Sequence, residues 1–259
     1  MIEKENRWIL PDRQKKQEIQ DRTNSSNKNF EDFSIFESYS AYKKNPNSKF
    51  LKNHGISTDS QATEYLRSLK IILKQYKIIP SGNLLDVGCG VGILTNKFKE
   101  LNFNVFGIDI SRDAIIVARK TYKEVKFFFQ SADDIDNFSK LKFNFIHAKE
   151  FYPFSRTDDI KNHLYYFEKF SQILNRNGYI ILSMSNEKYG FGNVSEKMNK
   201  KLNSIGYKKI SEKRLIPIGI SKVFLGIEYL KPIYNVIIQS LLLMGKSRFR
   251  YIYIYQKYN

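Results

Sequence analysis

The sequence predicts an α/β fold in which helices cover a doubly wound, mostly parallel sheet. Three observations lead to this prediction. Short apolar segments alternate with helix-like segments through the middle of the chain. A turn containing three glycines follows the first apolar segment. Carboxylates end the first two apolar segments, and ligands bind at the carboxyl ends of strands in sheets of this kind.

The predicted elements begin with an amphipathic helix over residues 59–77, which Pro80-Ser81-Gly82 separates from the first strand. Strands are expected near residues 83–87, 104–109, 125–130, 143–148 and 179–185. Helices are expected near residues 92–101, 112–121 and 158–174, the last closed by Asn177-Gly178. The C-terminal third predicts a helix over 194–204 and strands over 206–218 and 247–257.

The glycine turn is the most informative part of the chain. Residues 84–95 read Leu-Leu-Asp-Val-Gly-Cys-Gly-Val-Gly-Ile-Leu-Thr. Glycines at alternate positions, Gly88, Gly90 and Gly92, let the backbone approach a ligand closely. Dinucleotide-binding turns also carry spaced glycines, but an ionised Asp86 would repel their pyrophosphate. The turn therefore favours a ligand with a cationic amino group and no phosphate, such as S-adenosylmethionine.

Two further segments follow at the ends of the next strands. Asp109 ends the second strand, where a carboxylate can accept hydrogen bonds from ribose hydroxyls, although NAD-binding folds use the same device. Asp109 could also cap the next helix, with Ser111 as a competing cap. After the third strand, the polar turn Ser131-Ala132-Asp133-Asp134 could bracket an adenine or could consist of solvated turn residues.

Together, residues 84–95, 105–111 and 127–136 resemble the class I S-adenosylmethionine-dependent methyltransferases, and most of all the small-molecule branch that includes quinone-biosynthesis methyltransferases. This resemblance covers roughly residues 60–190. It implies a Rossmann-like sheet, mostly parallel with a C-terminal antiparallel strand, and an N-terminal helical extension. It also implies cofactor-binding roles for Asp86, Gly88, Cys89, Gly90, Gly92, Asp109, Ile110, Ala132 and Asp133. One departure is Phe143-Asn144, where the family often has Phe-Asp, and it weakens any role for an acid there.

Methyl transfer requires mainly that the acceptor be aligned with the methyl group, with a general base where the acceptor is a hydroxyl or a protonated amine. The best candidates for this base follow the fourth strand, at His147 and Glu150. The alternatives are a hydrogen-bonded strand residue at His147 and a solvated loop acid at Glu150. No metal-ligand cluster stands out in the sequence.

The chain is expected to divide into an N-terminal arm with an aromatic lid segment, residues 1–58, and a methyltransferase domain, residues 59–259, with an insertion at 219–245. Aromatic residues stand three apart over residues 30–42, which predicts a helix that packs on the domain, covers the substrate pocket, or does both. The predicted acceptor-binding residues are Tyr39, Tyr42, Tyr152 and Arg156. They suit a medium-sized organic acceptor, anionic or lipid-like.

The net charge of +17 is concentrated at the C-terminus, where residues 191–259 hold 13 Lys and Arg against 3 Asp and Glu. This charge indicates an anionic partner or simply a chain rich in Lys, Asn and Ile. An RNA methyltransferase is therefore the alternative to methylation of oxygen or nitrogen in a small molecule. No Asn/Asp-Pro-Pro-Tyr type of sequence occurs, which disfavours amino-methylation of adenine or glutamine, and Cys89 belongs to the glycine turn, which disfavours cytosine C5 chemistry.

The remaining composition bounds the location of the protein. One cysteine, a polar N-terminus and no apolar run near the roughly 20 residues of a membrane-spanning helix predict a cytoplasmic protein, either free or peripheral to the membrane. The sequence leaves the oligomeric state and the identity of the acceptor open.

Overall fold

The computed structural model describes residues 58–138, 140–155, 157–185, 190–215 and 250–258. Within these residues, seven strands form one sheet in the order β3-β2-β1-β4-β5-β7-β6. The strands are β1 (Gly82–Val87), β2 (Phe103–Asp109), β3 (Lys126–Phe129), β4 (Phe143–Lys149), β5 (Leu174–Ser185), β6 (Tyr207–Leu215) and β7 (Arg250–Lys257). Strands β1 to β5 pair in parallel, whereas β7 runs antiparallel to both β5 and β6.

The described region contains six α-helices: α1 (Asp59–Gln75), which precedes β1, and α2 (Ile93–Lys97), α3 (Arg112–Thr121), α4 (Tyr152–Ser155), α5 (Ile160–Ile173) and α6 (Phe191–Ser204), which lie between strands. Two 3-10 helices, Phe98–Leu101 and Ala132–Phe138, complete the set. Side-chain caps fix three helix starts, at Thr58, Ser111 and Asp159. None of the helices in the described part of the chain combines the length and the apolar character needed to cross a bilayer.

The core lies on both faces of the sheet, because neighbouring strand residues point to opposite sides. Leu84 of β1 packs in the cluster beneath α1, α2 and α3, and Leu85 packs in the cluster beneath α4, α5 and α6. Both side chains are 0% exposed. Burial on both faces explains why the central strands read as continuous apolar runs rather than as alternating patterns.

The predicted fold class is confirmed, including the antiparallel strand at the C-terminus. The helix predicted over residues 92–101 is shorter, because α2 ends at Lys97 and a 3-10 turn runs on to Asn102, which has a φ of 61°. The fifth strand begins at Leu174, earlier than predicted, and Asn177 turns within it at a φ of 61°. The arm and lid segment up to residue 57 and the insertion at 219–245 lie outside the described residues, so the predicted division into these parts stays a prediction.

Candidate functional site

The glycine turn folds over the end of the neighbouring strand β2. The backbone amides of Gly88 and Cys89 both donate to the carbonyl of Ile108, at 2.9 and 3.0 Å. The φ angles of Gly88, Gly90 and Gly92 are 74°, 55° and 79°, a region of backbone space that residues with a Cβ enter at a cost. The spacing of the glycines therefore reflects the path of the backbone itself.

The three glycines differ in whether neighbouring side chains cover them. A Cβ on Gly92 would come within 2.4 Å of Cζ of Phe127, so this glycine permits close packing of α2 on the sheet. A Cβ on Gly88 would lie 3.7 Å from the ring of Phe151. A Cβ on Gly90 would meet no heavy atom of the described residues within 4 Å. The open face of the turn is therefore at Gly90.

Asp109 lies directly against this turn, as the order of the strands predicts. Its Oδ2 accepts from the amide of Gly90 at 2.8 Å, and its Oδ1 accepts from the amide of Ser111 at 2.8 Å. Ser111, and not Asp109, caps α3 by accepting from the amide of Ala114. A carboxylate offers about four acceptor positions, so Asp109 keeps acceptor capacity beyond its bonds to backbone amides. Burial raises the pKa of Asp109, although the amide hydrogen bonds from Ser111 and Gly90 oppose the shift.

Asp86 occupies a different position, beneath the turn and not on its open face. Its side chain is buried between the sheet and helices α1 and α2, at 3% exposure. Oδ2 accepts from the hydroxyl of Thr95 at 2.6 Å, and Oδ1 lies 2.7 Å from Nδ1 of His147. Both carboxylate oxygens therefore point to protein side chains.

The Cys89 thiol lies near two carboxylates, those of Asp109 and Asp86. Its thiol packs against Gly107 of β2 and is half-buried. Burial raises the pKa of the Cys89 thiol well above its usual range, and the negative charges of Asp109 and Asp86 raise it further. The two carboxylates thus give the turn a negative potential, which favours a cationic group and opposes a phosphate.

In the third predicted segment, the carboxylate of Asp133 is fixed by hydrogen bonds from neighbouring side chains. Ala132 is buried at 4% exposure and opens the 3-10 helix after β3. Oδ1 of Asp133 accepts from the hydroxyl of Tyr166 at 3.1 Å, and its Oδ2 accepts from the hydroxyl of Ser131 at 3.2 Å. Ile110, next to Asp109, is 38% exposed. An exposed apolar side chain and a carboxylate are the kinds of group that suit a flat, nitrogen-bearing ring.

His147 lies inside β4 and not at the open end of the sheet. It is 0% exposed and pairs in register with Asp86 of β1. Its Nε2 lies 2.8 Å from the hydroxyl of Tyr65, and its Nδ1 faces Asp86. The structure therefore places His147 as a buried, hydrogen-bonded strand residue, the alternative that the sequence left open.

Glu150 directly follows Lys149, the last residue of β4. It has a φ of 49°, which is uncommon for a residue with a side chain and is found most often at turns and functional sites. Its amide donates to the carbonyl of Ser183 at 2.7 Å, which ties the ends of β4 and β5 together. Tyr152 follows at the start of α4 and is half-buried, whereas Tyr39, Tyr42 and Arg156 lie outside the described residues.

Three contacts in this region were not predicted from the sequence. Tyr65 stands 82 residues from His147 in the chain. Thr95 and Tyr166 were not predicted to contact Asp86 and Asp133. Pattern alone cannot find such pairs, because they depend on how the helices lie against the sheet.

Comparison with known proteins gives a consistent family. A family model described as a methyltransferase domain matches residues 59–217. The chain is 38% identical over 66 residues to the ubiquinone biosynthesis O-methyltransferase of Hydrogenovibrio crunogenus, covering 24% of this chain and 27% of that protein. It is 47% identical over 47 residues to the mitochondrial ubiquinone biosynthesis O-methyltransferase of Saccharomyces cerevisiae, covering 17% and 15%. The chain thus matches no more than about a quarter of the length of either relative.

Among solved structures, the magnesium protoporphyrin IX methyltransferase of Synechocystis PCC 6803 with bound SAM has a TM-score of 0.51 and 12% sequence identity. That alignment covers 90% of this chain and 99% of the other. At this identity the likeness shows a shared fold. The family match and the fold together confirm the resemblance that the three sequence motifs predicted.

Proposed function

Because this chain belongs to the methyltransferase domain family, we propose that it transfers a methyl group from S-adenosylmethionine to an oxygen or nitrogen of a small organic acceptor. The observation that carries this proposal is the open face of the turn at Gly90, whose amide is held by the carboxylate of Asp109. This arrangement offers space for a ligand at Gly90 and, beside it, carboxylate oxygens of Asp109 that can accept from the hydroxyls of the ligand.

The residues of the turn fit this cofactor. Asp109 retains acceptor capacity for ribose hydroxyls, and Ile110 and Asp133 supply an apolar surface and a carboxylate for adenine. The negative potential at Cys89 suits a ligand that carries ammonium and sulfonium groups, and it opposes a pyrophosphate. When bound, S-adenosylmethionine supplies an activated methyl group. The protein then has to hold the acceptor in line with it and exclude water.

The proposed acceptor site lies where β4 ends, beside Phe151 and the turn. Glu150 is the residue there that we propose as general base, because it directly follows β4 in a strained backbone conformation and its amide is hydrogen-bonded to β5. Tyr152, with the predicted Tyr39, Tyr42 and Arg156, would contact the acceptor. The two ubiquinone biosynthesis relatives are named as O-methyltransferases, which favours oxygen as the acceptor atom.

Calorimetry on the full chain tests the cofactor part of the proposal. We expect S-adenosylhomocysteine to bind and NAD not to bind under the same conditions. Binding of NAD without any response to S-adenosylhomocysteine would overturn the assignment, because it would mean that the turn accepts a pyrophosphate.

The fate of a labelled methyl group tests the acceptor part. The protein is incubated with S-adenosylmethionine that carries a tritiated methyl group and with a cell extract separated into small-molecule, RNA and protein fractions. We expect label in the small-molecule fraction. Label in RNA, together with sub-micromolar RNA affinity that falls steeply with salt, would replace the small-molecule proposal by the RNA alternative.

A further inference from the structure

Four buried side chains form a continuous hydrogen-bonded network that joins α1 to the glycine turn. The hydroxyl of Tyr65 lies 2.8 Å from Nε2 of His147, and Nδ1 of His147 lies 2.7 Å from Oδ1 of Asp86. The hydroxyl of Thr95 donates to Oδ2 of Asp86 at 2.6 Å. None of the four side chains is more than 6% exposed. We call them the Asp86 network.

The network connects four elements that surround the turn. Tyr65 belongs to α1, His147 to β4, Asp86 to β1 and Thr95 to α2. Asp86 precedes the first glycine of the turn and Thr95 follows the last one, so the bond between their side chains closes the turn across its base. The rings of Tyr65 and Phe98 pack edge-on against His147, with centroid distances of 5.5 and 4.8 Å. The imidazole is therefore held by packing as well as by hydrogen bonds.

The direction of the hydrogen bonds follows from the chemistry of the groups. An ionised carboxylate can only accept, so Nδ1 of His147 carries the hydrogen that faces Asp86. In a neutral ring Nε2 then accepts from the hydroxyl of Tyr65. In that arrangement each donor in the network points towards Asp86. A buried carboxylate needs such donors, because burial without them is costly.

We propose that the Asp86 network positions the glycine turn for the cofactor, and that Tyr65, His147 and Thr95 act on the cofactor site through Asp86. This inference rests on the proposed function. Three glycines within five residues give the turn little conformational preference of its own, so its shape has to be fixed by its supports. A turn that is already in its binding conformation loses less entropy when the ligand arrives. The residues of the network are positioning residues, since their side chains lie beneath the turn and not on its open face.

The variant Tyr65→Phe tests the far end of the network with the least disturbance. It keeps the ring that packs against His147 and removes only the hydroxyl. Tyr207→Phe is the matched control, because the hydroxyl of Tyr207 is also buried and donates to the carbonyl of Phe167 at 3.2 Å, on the opposite face of the sheet. Calorimetry with S-adenosylhomocysteine and thermal unfolding are measured for both variants and for the unaltered chain.

We expect Tyr65→Phe to weaken binding of S-adenosylhomocysteine by about threefold to tenfold, the range for loss of one buried hydrogen bond, and Tyr207→Phe to leave it unchanged. The proposal is overturned if Tyr65→Phe binds as tightly as the unaltered chain. It is also overturned if both variants weaken binding equally, because the effect would then follow general stability. If the unaltered chain does not bind S-adenosylhomocysteine, the proposed function itself fails. If the unaltered chain binds and Tyr65→Phe has no effect, only the role of the network fails.

A second pair of variants tests the near end of the network. Thr95→Ser keeps the hydroxyl and should retain binding, whereas Thr95→Val keeps the shape and should weaken it by about the same factor as Tyr65→Phe. The double variant Tyr65→Phe, Thr95→Val should lose less than the product of the two factors, since the hydroxyls act through one carboxylate. Independent effects in the double variant would contradict the coupling between α1 and the turn.

Discussion

At the scale of single residues, Gly90 and Gly92 share a left-handed backbone conformation in two different surroundings. Their φ angles are 55° and 79°, so alanine at either position strains the backbone by about 1–2 kcal/mol. Gly92→Ala also adds a clash with Phe127. We therefore expect it to lower the free energy of unfolding by about 1–3 kcal/mol more than Gly90→Ala does. Gly90→Ala instead places a methyl group on the open face. We therefore expect it to be the more stable variant and yet to lose S-adenosylhomocysteine binding.

Denaturant unfolding and calorimetry on the two glycine variants check this expectation. The decisive comparison is between stability and binding in the same protein. A Gly90→Ala protein that binds S-adenosylhomocysteine normally would show that the ligand does not approach the turn at its open face.

Asp109 should make ligand binding depend on pH. Burial raises its pKa, so a proton competes for its oxygens at higher pH than it would for an ordinary aspartate. Affinity for S-adenosylhomocysteine should be constant above that raised pKa and should fall as the pH drops through it, because only the ionised form accepts from both hydroxyls. For the ligand-free fold the sign is opposite: the folded state holds the proton more tightly, so this group removes stability as the pH rises through the same window.

Calorimetry over a series of pH values measures this dependence, and Asp109→Asn serves as its control. The amide cannot ionise, so the acidic loss of affinity should disappear, while affinity at neutral pH should be lower by roughly 1–3 kcal/mol. An unchanged acidic loss in Asp109→Asn would assign the titration to another group.

At the scale of elements, strand β7 stabilises the C-terminal end of helix α5. The ammonium group of Lys257 in β7 donates to the carbonyls of Ser171 and Leu174, at 2.8 and 3.1 Å, where the helix ends. A cation at this end of a helix also interacts favourably with the helix dipole. We expect Lys257→Met to lower the free energy of unfolding by about 1 kcal/mol without changing S-adenosylhomocysteine affinity, because this end of α5 adjoins the start of β5.

Chemical unfolding of Lys257→Met beside Lys161→Met measures this contribution. Lys161 is an exposed position near the start of the same helix, and its replacement should change stability by no more than about 0.5 kcal/mol. Equal effects of the two substitutions would remove the assigned role of Lys257.

The elements show what sequence pattern can and cannot predict. Helix α3 begins and ends where predicted, because Ser111 gives its start a clear cap. The segment after the turn was predicted as one helix, since apolar spacing does not separate an α-helix from the 3-10 turn that follows Lys97. Asp109 was placed correctly because the order of parallel strands fixes it. The inward orientation of Asp86 was not predictable, because its strand is buried on both faces and has no alternation to assign a side.

At the scale of the whole molecule, part of the positive charge has a structural explanation. Exposed lysines occur along α6 and on β6, which is an edge strand of the sheet. They are Lys197, Lys200, Lys201, Lys208 and Lys209. Lysines on an edge strand discourage pairing with the edge of another molecule. Lys208 and Lys209 on this edge therefore have a structural explanation that requires no nucleic acid.

The division between cofactor site and acceptor site gives the broadest prediction. The predicted cofactor residues in the described structure lie between Asp86 and Asp133, and the helix that supports them starts at Asp59. Deleting residues 1–42 should therefore leave S-adenosylhomocysteine affinity within about twofold of the full chain, a difference below about 0.5 kcal/mol. The same deletion removes the aromatic residues predicted to cover the acceptor, including Tyr39 and Tyr42.

We therefore expect the shortened protein to bind the cofactor product normally and to lose methyl transfer once the acceptor has been identified. Calorimetry and the tritium transfer assay, run on the same preparation, separate the two properties. Loss of both would mean that the N-terminal region supports the fold of the turn. Full transfer activity would contradict the lid hypothesis, because an acceptor that reacts without residues 30–42 does not need them as a cover. Packing on the domain would then be the role left for these residues.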